Sequence, residues 1–501
     1  MSYLAPSTSL QSIESLGQVT MRRESQWQSP HTASIHILDN DSLLNIFHLY
    51  RPAIFDGDED NIVHIKGGKG WKRERWWYKL AHVCQRWRIL ILGSASYLGL
   101  CLVCTWGTPV ADMLAHSPPL PLDIDYFNLR LGIAAEDEII LALKQRDRVR
   151  RIRFGMGVWN SIKKLIMAID EGYYPVLEYL VMENPREFRK KTLMLPETFH
   201  APRLRHLLLF GFALPMGSRL LTTAVGLVML ALGVAHRSAY FQPNTLLQWL
   251  SLMPQLEKLL IVFAGPDSDR DLGRQLTHTP AMTRISLPNL SWIEFQGVSD
   301  YMEAVVRRIV TPRLEKLYIQ FFERLPFSVP CLLQFMSATE TLRFDSARFE
   351  FSKNHVYVGA YLREQAEVYP LSITVYSKSL DSQVSSVAQI FNSLGQIFST
   401  VEHMALELEE SFEEHNQVDR AKWRKLLRSF SQVKTLRIDD GLVEELSRCL
   451  RPDDGENPLE LLPELQELTH SGGSGDTGDA FTSFIYARQN AGRPVAWFVL
   501  V

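Results

Sequence analysis

Cysteine is scarce in this chain, with five in 501 residues, an odd number and widely scattered. That argues against a disulfide framework and for reduced thiols in an intracellular protein. Charge of one sign is also lacking: 53 Lys and Arg stand against 56 Asp and Glu, for a formal net charge of −3. Without a net basic field no nucleic-acid partner is expected, and no acidic tail points to a strongly basic one. The one long apolar run, Leu220 to Val234, spans 15 residues and contains Thr222, Thr223, Gly226 and Gly233. A membrane span needs about 20, so a buried helix against a sheet is expected there. The opening MSYLAPSTSLQSIESLGQ has neither the basic start nor the continuous apolar stretch of a secretory signal. The expectation is a cytoplasmic or nuclear protein with no membrane partner.

Catalytic and ligand-binding motifs are missing as well. Asp56-Gly57-Asp58-Glu59-Asp60 begins like a calcium loop, but Asn61 occupies the sharp-turn glycine position and Gly67 the bidentate glutamate position. Gly67-Gly68-Lys69-Gly70 lacks the spacer and the Ser or Thr of a phosphate loop. Cys101 and Cys104 have half of a zinc spacing with no second pair at a suitable distance, and read better as two thiols on a buried strand. The 14 histidines include no H-E-x-x-H pair, and no G-x-S-x-G turn occurs. His206 and His403 read as polar surface residues, and Glu409, Glu410, Glu413 and Glu414 as a solvated run. No metal, no cofactor and no enzymatic activity are expected.

What the chain does contain is a repeat, L-x-x-L-x-φ with φ apolar. It stands at Leu177-Glu178-Tyr179-Leu180, at Leu204 to Leu209, at Leu256 to Ile261 and at Leu314 to Ile319, with weaker copies from Val149, Leu290, Thr339, Val401, Val433 and Leu465. Steps from residue 149 to 339 are 28, 27, 52, 34, 24 and 25 residues. The 52 suggests one degenerate copy around residues 222 to 234. After 401 the step is 32. Leucine-rich repeats recur every 20 to about 29 residues as a strand and a helical or irregular return. One such unit cannot bury its own apolar face, so stacked copies share a core. By the strand period of two, the last two apolar positions point inward and the residue between them outward. Helices are expected at Ser299 to Ile309, Ala421 to Phe430 and Leu442 to Leu450. A flexible loop is expected at 471 to 480, and a helix, a Gly-Arg-Pro turn and a final strand close the chain.

Ahead of the repeats, WWYKLAHVCQRWR (Trp76 to Arg88) places Trp76, Leu80, Val83, Cys84, Trp87 and Ile91 at helical spacing on one face. Leu80-x-x-Val83-Cys84-x-x-Trp87-Arg88 resembles the second half of an F-box. Upstream, Leu38, Leu43, Leu44, Ile46 and Phe47 in ILDNDSLLNIF resemble its first half. The likeness is greatest to the large fungal set of F-box proteins. Where that family has Leu-Pro, this chain has Leu38-Asp39, with Asp39 or Asn40 available to cap the helix. Phe47 and Leu80 are 33 positions apart, about twice the family spacing, which implies a surface-loop insertion at 51 to 72.

The fold class read from these features is α+β, a small helical F-box-like module followed by an α/β leucine-rich-repeat solenoid. Residues 1–33 form a disordered N-terminal segment, 34–94 the module and 95–501 an irregular solenoid with a terminal cap. The resemblance implies a substrate receptor that binds a Skp-type adaptor, and through it a cullin, by Leu38, Leu43, Leu44, Phe47, Leu80, Val83, Cys84 and Trp87. A protein target would meet Arg151, Arg153, Tyr179, Lys258, Trp292, Lys316, Tyr318 and Arg437, with Glu294 and Glu467 on the same concave surface. The alternative is a scaffold whose N-terminal helices only cap the solenoid, burying the apolar side chains that an adaptor would need.

Overall fold

The computed structural model describes residues 35–51, 76–105, 107–126, 133–155, 159–170, 172–184, 193–234, 240–263, 284–322, 329–365, 368–409, 418–453, 456–471 and 480–500. The expected disordered segment, nearly all of the inserted loop and most of the 471 to 480 loop lie outside these.

A module of three helices opens the described chain. Helix α1 (Asn40–Tyr50) is capped by Asp39, whose carboxylate accepts from the Ser42 N–H at 2.7 Å and from its hydroxyl at 3.0 Å. Those bonds hold the Asp39 carboxyl below the usual range. The expected single helix through Trp76 to Arg88 is two, α2 (Trp76–Ala81) and α3 (Gln85–Gly93). Extended backbone at Cys84 divides them, and its Sγ accepts from the Trp87 N–H at 3.5 Å. The reason is angular. Trp77, Ala81 and Ile91 are buried and Trp87 half-buried, yet six residues on a straight helix rotate Ala81 to Trp87 by about 240°. The break brings both faces to one core and turns Val83 outward, 59% exposed. Arg86 fastens α3 to the start of α1 and the residue pair before it, donating to the Leu38 carbonyl at 2.6 Å and to Asn40 Oδ1 at 3.0 Å.

Among the described residues the remainder is built on one long sheet, with two short two-stranded pairs beside it, and its sixteen strands are β1 (Leu102–Cys104), β2 (Leu122–Tyr126), β3 (Val149–Phe154), β4 (Tyr179–Glu183), β5 (His206–Phe210), β6 (Met229–Val234), β7 (Lys258–Phe263), β8 (Trp292–Gly297), β9 (Lys316–Phe321), β10 (Ser346–Phe351), β11 (His355–Tyr361), β12 (Leu371–Tyr376), β13 (His403–Leu408), β14 (Thr435–Asp439), β15 (Glu467–Ser471) and β16 (Ala496–Leu500). From β1 to β9 the strands lie side by side in chain order and parallel, and so do β13 to β16. Between most strands runs a helix: α4 (Val110–His116), α5 (Ile133–Leu143), α6 (Trp159–Ile169), α7 (Arg219–Thr223), α8 (Pro243–Leu250), α9 (Ser299–Val306), α10 (Pro330–Ser337), α11 (Leu380–Phe398), α12 (Arg420–Leu427), α13 (Asp440–Leu450) and α14 (Thr482–Asn490). The chain is an α/β repeat solenoid. Its helix-facing strand residues and the buried helix residues form one continuous apolar core, which begins in the N-terminal module at Leu43 and runs to Val495.

Register gives the repeats their places. The units at Leu177, Leu204, Leu256, Leu290 and Leu314 each enter a strand two residues later, and these leucines are fully buried. The degenerate copy is Leu227-Val228-Met229-Leu230-Ala231-Leu232, so Leu220 to Val234 is not one buried helix but α7, a turn and β6. Thr339 does not begin a strand. By pairing with β13 the unit starts five residues later, at Phe344-x-x-Ala347-x-Phe349, where aromatic and small residues replace leucine. Ile309 lies beyond α9, in a two-residue strand paired with Ile285–Ser286.

One feature had no leucine signature. The order across the sheet is β9, β12, β11, β10, β13, so a hairpin and its return strand stand in antiparallel pairs within the otherwise parallel array. Both α10 and the 19-residue α11 bridge the inserted strands. Gln383 of α11 is buried and donates to the Ser352 carbonyl at 2.6 Å and the Ser377 carbonyl at 2.8 Å, tying the helix to the hairpin turn and the end of β12.

Candidate interaction surfaces

The module surface is built from α1. Leu43 and Phe47 were expected to face a partner, but both are fully buried, and the Phe47 ring stands edge-on to Trp87 with centroids 4.9 Å apart. They serve the module's own core because α3 lies across that face of α1. Leu38, Leu44, Leu80, Cys84 and Trp87 are half-buried, and Val83 is the most exposed of the eight. The edge that α1 leaves uncovered is a different one: Ile46, Leu49 and Tyr50 are 42, 82 and 57% exposed. They lie three and four residues apart on one flank, which the Tyr50 ring extends toward Trp76, 6.3 Å away. The other flank is occupied. Tyr97 donates to Asn45 Oδ1 at 3.0 Å and its ring lies 5.3 Å from His48. Gly99, at φ +61°, leaves room there for the Arg51 guanidinium, which a Cβ would approach to 3.0 Å.

The second surface is the sheet face turned away from the helices. Parallel register sets its residues in rows across the strands. One row reads Asp123, Arg151, Tyr179, His206, Met229, Lys258, Trp292 and Lys316. Within it the Arg151 guanidinium lies 4.7 Å from the Tyr179 ring centre, and Tyr179 lies 5.5 Å from His206. Lys258 and Lys316 place their Nζ atoms 5.2 and 4.9 Å from the Trp292 ring centre, and Tyr318 meets that ring edge-on at 5.5 Å. Six of the eight sequence-named target residues are thus drawn into two cation–aromatic groups. Arg153 instead pairs with Asp125 at 2.9 Å, and exposed Arg437 stands far along the sheet between Ala405 and Thr469.

The next row contains what sequence reasoning missed. Val181, Leu208, Ala231 and Leu260 stand side by side and, with Met229, form a second apolar cluster on this face, bordered by Tyr179, Phe210 and Val262. The signal was available: Leu207-Leu208-Leu209 and Met229 to Val234 are apolar at every position, as strands buried on both faces are. Glu294 continues the row beyond Leu260. Burial in these surroundings pushes its carboxyl up to about 7. Farther along, His403 Nδ1 lies 2.8 Å from the Thr435 hydroxyl, and burial and then Arg363 lower its pKa.

None of the five cysteines is in a disulfide, and Cys101 and Cys104 are buried beside and on β1. Among the described residues no group of three His, Cys, Asp or Glu side chains could hold a metal ion, and no helix is long and apolar enough to cross a membrane.

No family model matches the chain, and no curated protein matches it. Among solved structures the chain is similar to a TLR13–ssRNA13 complex, at 12% identity over 80% of this chain and 48% of that one, with a TM-score of 0.33. It is also similar to the leucine-rich repeat-containing protein LegL7 from Legionella pneumophila, at 11% identity over 59% of this chain and 83% of that one, with a TM-score of 0.27. The chain spans about half the length of the first of these. Its repeat architecture rests on its own strand register.

Proposed function

We propose that the chain is a non-enzymatic substrate receptor of a Skp-cullin-F-box type ubiquitin ligase, docking a Skp-type adaptor on the N-terminal module and a target protein on the outer face of the sheet. The observation that carries the adaptor half is the Ile46, Leu49 and Tyr50 edge. It stays exposed on a module whose core is otherwise closed and whose sequence resembles an F-box, and such clustered apolar surface is the usual mark of a docking site. The docking edge proposed is therefore the flank of α1 beside the residues that the resemblance implied.

A second reading has its own support. The core of the module is continuous with that of the first strands through Leu98, Leu100 and Leu102, as in a scaffold whose N-terminal helices are a cap. One experiment separates the two. Full-length protein is titrated with a purified Skp-type adaptor, alongside the Ile46→Asp/Leu49→Asp double variant. The receptor reading expects saturable binding that weakens by about thirtyfold or more in the variant, equivalent to about 2 kcal/mol, with an unchanged melting temperature. Absence of binding by the unmodified protein leaves the cap reading in place.

A further inference from the structure

The outer face carries a more specific chemistry, and the inference rests on the reading that this face takes a protein target. Trp292 of β8 is held between Lys258 of β7 and Lys316 of β9, directly in register on either side. Each ammonium faces the ring, so a cation from outside has no free aromatic face to occupy there. Among the described residues no carboxylate lies within ion-pair distance of Lys316. Two strand spacings separate the lysines, about 9.6 Å. A carboxylate taking one N–H from each, at about 2.8 Å, meets them only at the edge of the ring, so both ammoniums swing off the ring faces to reach it. Beside them the cluster of Val181, Leu208, Ala231 and Leu260 makes a dry floor on which a charge pair is screened less than at an ordinary surface.

We propose that the outer face binds an acidic segment of a protein partner, with one carboxylate seated between Lys258 and Lys316 at the edge of Trp292. Glu294 follows Trp292 on the same strand face. The groups around it are Lys258, Leu260 and Val262 from β7, Lys316, Tyr318 and Gln320 from β9, and Trp292 and Gln296 from its own strand. None of these groups is a second acid. With its carboxyl raised to about 7, Glu294 donates a hydrogen bond to the incoming carboxylate when protonated and repels it when ionised. Binding is tighter at pH 6 than at pH 8 for that reason.

The test uses full-length protein and three fluorescently labelled peptides, alternating leucine with glutamate, with lysine or with serine, read by anisotropy. The glutamate peptide binds and the other two do not. Lys258→Glu/Lys316→Glu weakens it about tenfold or more, and Glu294→Gln removes the difference between pH 6 and pH 8. If the reversal variant melts early, Lys258→Gln/Lys316→Gln removes the charges with little change in bulk. Binding of the lysine peptide instead, lost on Glu294→Gln or Trp292→Ala, overturns the acidic chemistry while keeping the face. No binding by any peptide, or binding indifferent to every substitution on this face, overturns the target-face reading with it.

Discussion

Phe47 was expected to be a contact for another protein and is instead a keystone of its own module. Its ring has no exposure and packs edge-on against Trp87, so Phe47→Ala opens a cavity and costs about 3–5 kcal/mol of stability. Thermal denaturation followed by circular dichroism checks this, with Leu49→Asp as the exposed control that leaves the transition where it was. Glu294 makes a second prediction from its raised pKa. The folded state favours the protonated form, so the contribution is complete below about pH 4.5 and is lost as pH rises through about 7. Glu294→Gln therefore raises the melting temperature at pH 8 and leaves it unchanged at pH 4. At the far end, Arg488 of α14 is fully buried and donates to the carbonyls of Leu462, Pro463 and Leu465 at 3.0, 3.0 and 3.1 Å. Burial lowers its pKa, though it remains the donor that this loop requires. Arg488→Met keeps the stem but strands three acceptors, at about 3 kcal/mol or more, and faster hydrogen exchange confined to residues 456–500 is the expected signature. Such a residue reads as an ordinary surface arginine in sequence, since nothing local marks the carbonyls it serves.

At the scale of elements, neighbouring helices are locked by a recurring acid. Glu138 of α5 accepts from the N–H groups of Val110 and Ala111 at the start of α4, at 2.8 and 3.3 Å. Glu303 of α9 does the same for Cys331 and Leu332 of α10, both at 2.8 Å, and Glu445 of α13 accepts from Val418 just before α12 at 3.3 Å. Each satisfies donors that a helix start leaves open. Burial, and then Glu303, push the Cys331 thiol up. Glu303→Ala therefore frays the start of α10 and lowers that pKa together, and Cys331 reacts faster with a maleimide at pH 7. No change in its labelling rate would show the cap to be dispensable. These pairings span one repeat length, 27 to 29 residues, but the acid follows its donors in two cases and precedes them in the third, and no local motif marks it, which is why they were not legible. The strands were legible wherever leucine filled the inward positions. The unit at Phe344 was misplaced because Phe, Ala and Phe fill the same sites, and the hairpin was missed because its alternating residues carry no leucine spacing. The two-helix break at Cys84 escaped because periodicity alone follows a straight helix.

Over the whole molecule, order runs from neighbour to neighbour, so stability is a sum of repeat and interface terms and not one cooperative quantity. The outer-face residues were readable because period two and a fixed register carry a strand residue to the same face in every unit. The apolar cluster among them was not, because leucine between two leucines looks like more core. The inserted hairpin bears on the shape of this surface. Helices are about 10 Å wide and strands about 4.8 Å apart, and this mismatch makes a one-helix-per-strand array bend toward its strands. Between β9 and β13 three strands share two helices, so the mismatch per strand is smaller there. The hairpin thus acts as a spacer in the arc: the lysine–tryptophan group on β7 to β9 and the Arg348–Glu407 pair on β10 and β13 lie on two arms splayed wider than an unbroken run of repeats would hold them.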